Sequence, residues 1–432
     1  MQNKNVLIVG NSYSTAVAFF YLQKYLDKSR IPYDIILISE QRSFFYHGLL
    51  PEFLMGQCSL DEITQEFRKI GYMRPGISLM DSRLLEIDFQ NKTVETTKGT
   101  IHFDYLILAP EFDETKTPFP VEWHGILNVH TLLDIVNLKQ HIKTVFEKAA
   151  YEKNIDIKRA LLTFSIIGAN QYGIEIAFAL TDYILYLLNT QYYEIKKSFI
   201  TINLIDEQKN INIPNSSFYS NYVHYNLNSK GIKLVLGKKI HKVEEGKISL
   251  EGENIFSSTI IATTTYDVSS LLKSVLTLKT EKTETCQKIE TDKCFLLPEK
   301  SHVYLIGETS LIPGVSNYSI VTYHEQAKIC AQNIVSEINN DPLKPFKNTT
   351  DIDTFTLGSK NSFVNLNKVR FSGFLGWIIF RLAYIFMFLG NKKTTKALNV
   401  FASFLFRLKD YDTTEILNEN MKQFNTRILS KK

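Results

Sequence analysis

Paired cysteines are missing from this sequence. Its 432 residues hold four, Cys58, Cys286, Cys294 and Cys330, with no Cys-x-x-Cys, so neither a zinc site nor a paired redox disulfide is signalled and no metal is expected. Thiols scattered in this way suit a reducing compartment. An excess of one charge is missing too. A formal net charge of +4 over the whole chain is far from the concentrated basic face that nucleic acid requires, and no nucleic-acid partner is expected. No apolar run reaches the roughly 20 clean residues of a spanning helix. Met1 to Asn5 are polar and lack the basic, apolar and small-residue order of a signal peptide, so the chain is expected to stay in the cytoplasm. There is also no tandem repeat of 20–50 residues.

What is present is ordinary globular composition, 44% hydrophobic and 22% charged, in a chain long enough for two or three domains. Val6-Leu-Ile-Val-Gly10 reads as a buried parallel strand closing on glycine. Helical spacing follows from Ser14 to Leu26, and Asp34-Ile-Ile-Leu-Ile-Ser-Glu40 is a second strand ending in an acid. The order repeats in Leu162-Thr-Phe-Ser-Ile-Ile-Gly168, an apolar helix from Ile174 to Leu188, and Ile200-Thr-Ile-Asn-Leu-Ile-Asp206. Two βαβ units place the chain in the α/β class with two Rossmann-like dinucleotide-binding domains. Asp104-Tyr-Leu-Ile-Leu-Ala109 and Val303-Tyr-Leu-Ile-Gly307 are further buried strands, and the second is expected to return to the first domain. The charged stretch Lys279 to Lys293 reads as solvated, and Asp341 to Asp353, with two prolines, as a linker.

A strand feeding a helix through a tight turn presents unpaired N–H groups and the positive end of the helix dipole, which suits a pyrophosphate. An acid closing the next strand suits a ribose, the role open to Glu40 and Asp206. The glycine fingerprint is incomplete: Gly10-Asn-Ser12-Tyr-Ser-Thr15 keeps its first glycine, and Gly168-Ala-Asn170-Gln-Tyr-Gly173 keeps its first and third. The Ser12 hydroxyl stands near the expected phosphate, Asn170 is a tolerable substitute where φ is positive, and Thr15 is expected to push the first helix slightly off its strand. The bland alternative is an α/β scaffold that has lost its ligands.

Several segments, taken in order, resemble the type II NADH:quinone oxidoreductases. Phe44-Phe-Tyr-His-Gly-Leu-Leu-Pro51 with Gly56-Gln-Cys-Ser-Leu-Asp-Glu-Ile63 is similar to that family's segment beside the flavin. Leu161 to Gly168, then Gly173-Ile-Glu175-Ile-Ala177, resembles its NADH motif; Tyr304-Leu-Ile-Gly307-Glu308 with Pro313-Gly314 resembles its late flavin motif. Phe371-Ser-Gly-Phe-Leu-Gly-Trp377 resembles the start of its C-terminal membrane segment.

The resemblance implies FAD in the first domain, NADH in the second, hydride transfer from NADH to FAD, and electrons passed on to a membrane quinone. It implies domains at 1–115 and 291–350 for FAD, 116–290 for NADH, and 351–432 for membrane association. Glu175 and Gln326 take the catalytic positions, Glu175 beside the nicotinamide and Gln326 in the quinone-site pattern. Gly10, Ser12, Thr15, Glu40, Leu50, Pro51, Ala109, Gly307 and Glu308 fall at the flavin, and Gly168, Asn170, Gly173 and Asp206 at the NADH. An acid at Asp206 with no arginine at once after it favours NADH over NADPH.

The departures are Glu308 for the family's aspartate, Ala109-Pro110-Glu111 for its Ala-Thr-Gly turn, and Ile320-Val321 for its Ala-Gln. They leave open a non-catalytic or regulatory protein on the same scaffold. Sulfide:quinone oxidoreductases share the architecture but need a cysteine pair at the flavin, and no cysteine lies between Cys58 and Cys286.

Near the C-terminus, Val369 to Leu389 is apolar and aromatic, interrupted by Arg370 and Arg381. Lys392, Lys393 and Lys396 follow, then a second apolar helix from Ala397 to Leu408. A central arginine is costly in a spanning helix. Aromatics with flanking bases suit a helix lying in the headgroup region. The expectation is a peripheral protein on the cytoplasmic face of the cell membrane, touching quinone and lipid surface. The same helices docked on the core, or forming a homodimer seam, are the other readings.

Overall fold

The computed structural model describes residues 3–390 except 30–31, 72, 111–119, 121, 212, 214–216, 264–279, 283–286, 316–318, 348–351 and 368. The first unit runs β1 (Lys4–Val9), α1 (Tyr13–Ser29), β2 (Tyr33–Ser39), α2 (Leu50–Leu54), β3 (Ile77–Asp81) and β4 (Tyr105–Leu108). The second runs β5 (Ile126–Leu127), α3 (Leu132–Tyr151), β6 (Thr163–Ile167), α4 (Gln171–Thr190), β7 (Thr201–Asp206), β8 (Ile232–Leu236) and β9 (Thr259–Ala262). Then come β10 (Val303–Leu305), α5 (Ile320–Ile338), β11 (Ile352–Thr356), β12 (Ser362–Leu366), β13 (Val369–Phe371) and α6 (Gly373–Met387).

Two five-stranded parallel sheets result, with strand orders β10-β4-β1-β2-β3 and β5-β9-β6-β7-β8. Val6 sits opposite both Ile35 and Tyr105, and Ile166 opposite both Leu204 and Ile261. The strands are continuous β-branched runs because both faces of each sheet are covered. On the first sheet α1 covers one face, and the antiparallel strands Leu84–Asp88, Thr93–Thr96 and Gly99–His102 cover the other, around Leu7, Val9, Val94 and Leu106. The two βαβ units and the return of β10 beside β4 follow from strand patterning alone.

One apolar core runs from α1 and α2 through α4 to α6, joining both units and the C-terminal helix. Three sequence expectations are corrected. The charged stretch 279–293 is not simply solvated: Gln287–Glu290 pairs with Thr280–Lys282 and Ser310–Leu311, and Ile289 is buried. Within 341–353, Phe346 is buried against Phe295 and its N–H donates to the carbonyl of Lys293, so an aromatic anchor ties down the expected linker. The apolar stretch from Val369 starts as a strand, and its helix begins only at Gly373. The second apolar helix, Ala397 to Leu408, lies outside the described residues, as do Glu111 and the lysines after Gly390.

Candidate functional site

Parallel strands deliver their carboxyl ends to one edge, where ligands bind in open α/β sheets. In the first unit, β1 ends at Gly10 (φ 149°), whose N–H donates to the carbonyl of Ile38. A Cβ on Gly10 would collide with the carbonyl oxygen of Ala109 at the end of β4. Ser12 Oγ accepts the Thr15 N–H at 3.2 Å, capping α1, and donates to Ala109 O at 3.1 Å. Thr15 Oγ1 also donates to Ala109 O, at 3.2 Å. Thr15 is fully buried, and its hydroxyl tethers α1 to the end of β4. The hydroxyls of Ser12 and Thr15 are both turned on Ala109.

Glu40 stands exposed after β2, 3.7 Å from Arg83, an open pair of small energetic weight. A cleft of about 840 Å³ flanks it at the ends of β2 and β3, lined by Ser39, Gln41, Arg42, Phe67, Met80 and Asp81 among others. At the end of β10, Gly307 (φ 88°) lies tight against Ser14, and its N–H donates to Gln326 Oε1 at 3.2 Å. Gln326 is fully buried, and its Nε2 has no hydrogen-bond partner among the described residues; nor has the buried hydroxyl of Thr309. Glu308 between them is half-buried.

The second unit keeps its fingerprint geometry more closely. Gly168 has φ 112°, and a Cβ on Gly173 would overlap the Gly168 carbonyl oxygen, so α4 sits directly on β6. Asn170 has φ −81°, which corrects the positive φ expected of it. Its role is capping: Oδ1 accepts the Gly173 N–H at 2.8 Å, while Nδ2 donates to Thr263 O at 3.0 Å. Asn170→Ala is expected to lower stability by about 1 kcal/mol, read as a shift in urea midpoint, whereas Asn170→Ser should recover most of it. Asp206 accepts the Ala169 N–H at 2.7 Å and the Gln208 N–H at 2.9 Å, closing the same turn.

Between the units, rings from three segments meet: His47 and His130 at 6.1 Å, His47 and Tyr172 at 5.4 Å, His130 and Tyr172 at 5.1 Å. The Tyr172 hydroxyl donates to the carbonyl of Val129. Burial, then the neighbouring His47, push His130 down to about 3, so it stays neutral.

Deeper still lies a group of ionisable side chains. Glu175, in the second turn of α4, is buried and accepts the Thr356 N–H of β11 at 3.1 Å. Burial raises its carboxyl to about 8, against the hydrogen bonds from Thr356 and Gln171, and the nearby Glu52 adds to the rise. The folded chain therefore holds a proton that an unfolded Glu loses near 4.5. Its contribution is present below 4.5 and lost as pH rises through about 8. Glu175→Gln is expected to abolish that loss. Relative to the parent it should gain on the order of 2–4 kcal/mol between pH 5 and pH 8.5, measured by urea denaturation across the range.

Glu52 is fully buried in α2 and pairs with the equally buried Arg381 of α6. Burial raises its carboxyl, Arg381 pulls it back, and Asp182 raises it further. Arg381 lies 5.5 Å over the Trp377 ring. Arg381, the arginine that interrupts the apolar stretch, is thus a core residue, and this helix docks on the core along that face. The outward face of this region is instead apolar, with Val369, Phe374, Leu375 and Phe386 each more than half exposed. Among the described residues no helix is long and apolar enough to cross a membrane, and no group of side chains is placed to hold a metal.

Of the predicted residues, Gly10, Ser12, Thr15 and Ala109 come together at one turn, Gly307 and Gln326 at a second, and Gly168, Asn170, Gly173 and Asp206 at a third. Leu50 and Pro51 open α2, directly before Glu52, and are buried. Glu40 stands apart at the cleft, and Glu175 lies beneath β11 beside Glu52. Sequence reasoning passed over Glu52. The signal for Glu52 was a lone acid inside Leu50-Pro-Glu-Phe-Leu54.

Comparison with known proteins agrees with this fold. The family described as pyridine nucleotide-disulphide oxidoreductase matches residues 4–327. An external NADH-ubiquinone oxidoreductase 2 of Saccharomyces cerevisiae mitochondria is 22% identical over 89% of this chain and 72% of its own length. A type II NADH:quinone oxidoreductase of Mycobacterium tuberculosis is 21% identical over 87% of this chain and 84% of its own. In fold, the chain is similar to NDH2 from Plasmodium falciparum solved with NADH (TM-score 0.78, 15% identity, 95% of this chain and 100% of that one). It is also similar to a sulfide:quinone oxidoreductase from Aquifex aeolicus (TM-score 0.69, 15% identity, 95% of this chain and 98% of that one).

Proposed function

Because this chain belongs to the pyridine nucleotide-disulphide oxidoreductase family, we propose that it is an FAD-dependent NADH:quinone oxidoreductase working at a membrane surface. The observation that carries the reading is the pairing of two dinucleotide turns with a buried polar group between them. Relatives named as NADH oxidoreductases of quinones extend over most of the chain. The family name does not bring a redox disulfide with it, since the sequence has no Cys-x-x-Cys.

The first unit fits FAD on its own chemistry. The N-terminus of α1 faces the shared edge of the sheet. Gln326 Nε2 and Thr309 Oγ1 are buried donors with no partner among the described residues, and a flavin offers acceptors to such groups. Glu40 and the cleft beside it suit the ribose and the outer end of the nucleotide, and Glu308 stands where the family's ribityl-binding acid falls. When bound, FAD supplies the hydride acceptor and the two-electron carrier.

The chain itself positions and shields. The Gly168–Gly173 turn presents the capped N-terminus of α4 to a pyrophosphate, while Gly173 keeps helix and strand close. Asp206 retains acidic chemistry at the end of β7, which favours NADH over its 2′-phosphate form. Glu175, held protonated to about pH 8, can donate as well as accept near the centre. The His47, His130 and Tyr172 rings pack together where the two units meet, an arrangement suited to screening the site from water. The apolar outward face at Phe374, Leu375 and Phe386 suits insertion into the headgroup region of a leaflet on the cytoplasmic side, with residues 116–290 as the NADH domain and 351–432 as the membrane-association region. The non-catalytic alternative has no comparable observation behind it.

The test is spectroscopic. Protein purified from a flavin-replete host should carry a bound flavin spectrum that NADH bleaches and added ubiquinone restores. Absence of flavin before and after reconstitution with FAD would end the reading.

A further inference from the structure

Between α1 and α5 a line of hydrogen bonds runs from the surface to the interior. The Tyr21 hydroxyl lies 3.2 Å from His324 Nε2, and His324 Nδ1 lies 2.7 Å from the Tyr13 hydroxyl. Tyr13 also donates to the carbonyl oxygen of Met387, the last residue of α6, at 3.0 Å. Tyr21 is half-buried and opens to solvent; Tyr13 is buried. Tyr13 and Tyr21 are eight residues apart, about 12 Å along one face of α1, and His324 spans that gap from α5. Its neighbour two residues on is Gln326, which holds the Gly307 N–H.

The carbonyl fixes the direction of the line. Met387 O only accepts, so Tyr13 donates to it and its oxygen takes the Nδ1–H of His324. Nε2 then carries the lone pair and accepts the Tyr21 O–H. Every donor points inward.

We infer that Tyr21, His324 and Tyr13 form a proton path from solvent to the interior at the end of α6, where a reduced quinone would take its proton, an inference that rests on the oxidoreductase reading above. Reducing a quinone with NADH requires one proton besides the hydride: NADH, H⁺ and quinone give NAD⁺ and quinol. In one relay, Tyr21 passes its proton to Nε2, Nδ1 releases its own to the Tyr13 oxygen, and Tyr13 gives its original proton to the reduced quinone. Tyr21 is reprotonated from solvent and each residue ends neutral; the imidazole, left with its proton on Nε2, returns to the starting tautomer before the next transfer.

The groups facing the line are consistent with neutral relay. They are Tyr25 on α1, Glu325 and Lys328 on α5, Tyr46 from the loop before α2, and Tyr384 on α6. Lys328 is paired with Glu325 at 3.2 Å and lies 5.9 Å from the centre of the Tyr21 ring. Burial holds the Tyr13 phenol well above its usual value and raises that of Tyr21, so neither ionises near neutral pH.

The experiment separates the two half-reactions of the FAD-loaded full chain by stopped flow, with decylubiquinone as the acceptor. Flavin reduction by NADH consumes no solvent proton. In His324→Gly it should stay near the parent rate, while reoxidation slows by about tenfold or more and recovers with added imidazole. Tyr21→Phe removes one hydroxyl from a half-buried ring and should fold normally, and its reoxidation should also slow with flavin reduction untouched. Should His324→Gly fail to fold, Tyr21→Phe and Tyr13→Phe decide the matter. Reoxidation at the parent rate in Tyr21→Phe, or equal slowing of both half-reactions, overturns the path alone. A parent that NADH does not reduce overturns the oxidoreductase reading and the path with it.

Discussion

Arg381→Ala is expected to destabilise the protein by about 3–5 kcal/mol and to loosen α6 from α2. The reason is the site left behind. Glu52 and Arg381 are both fully buried, and Glu52 Oε1 already has no hydrogen-bond partner among the described residues. Without the guanidinium the carboxylate must either stay charged in an apolar surround or take up a proton. Replacing both residues with leucine should recover most of the loss, since an apolar pair of similar volume is often as stable as a buried ion pair. Urea midpoints of Glu52→Leu, Arg381→Leu and the double variant give the coupling, expected at about 2 kcal/mol or more. Additive losses would mean that the contact holds little. Trp377, under the guanidinium, also loses its partner, so its fluorescence should report the loosening.

Gly173→Ala is expected to raise the KM for NADH by about tenfold or more and to slow flavin reduction, with flavin content retained. Its Cβ would overlap the backbone oxygen of Gly168 and press on Thr263 Oγ1. Backbone cannot swing aside as a long side chain can, so α4 must retreat from β6 or the turn must open, at a cost of about 1–3 kcal/mol. That turn carries the Asn170 cap and the Asp206 contact to Ala169. Both would be strained at the point where a pyrophosphate is expected. Gly10→Ala is the matching change in the first unit, where the collision is with Ala109 O; its loss should show as reduced flavin occupancy instead. A Gly173→Ala variant with unchanged KM would detach the second turn from NADH binding.

Much of the architecture is legible in the amino-acid sequence by itself. Buried parallel strands ending in glycine, helical spacing and a closing acid recur at β1–α1–β2 and at β6–α4–β7 because each signal is local. Strand burial shows as a run of β-branched residues, the tight turn demands glycine at Gly10 and Gly168, and Gly173 leaves room for close helix packing. The order of these units carries the family resemblance.

The chemistry of the interior is less legible. Thr15 reads as an intruder in a glycine fingerprint, but its hydroxyl finds Ala109, 94 residues away. Asn170 reads as a positive-φ substitute, yet it is a helix cap with ordinary φ. Arg381 reads as a charge interrupting an apolar helix, and its partner Glu52 lies 329 residues earlier. His324 gives no signal of its own until Tyr13 and Tyr21 arrive from α1. Periodicity specifies which face of an element turns inward. Only the packed chain decides which polar groups on that face find partners, because those hydrogen bonds and ion pairs join segments whose separation in sequence carries no repeat.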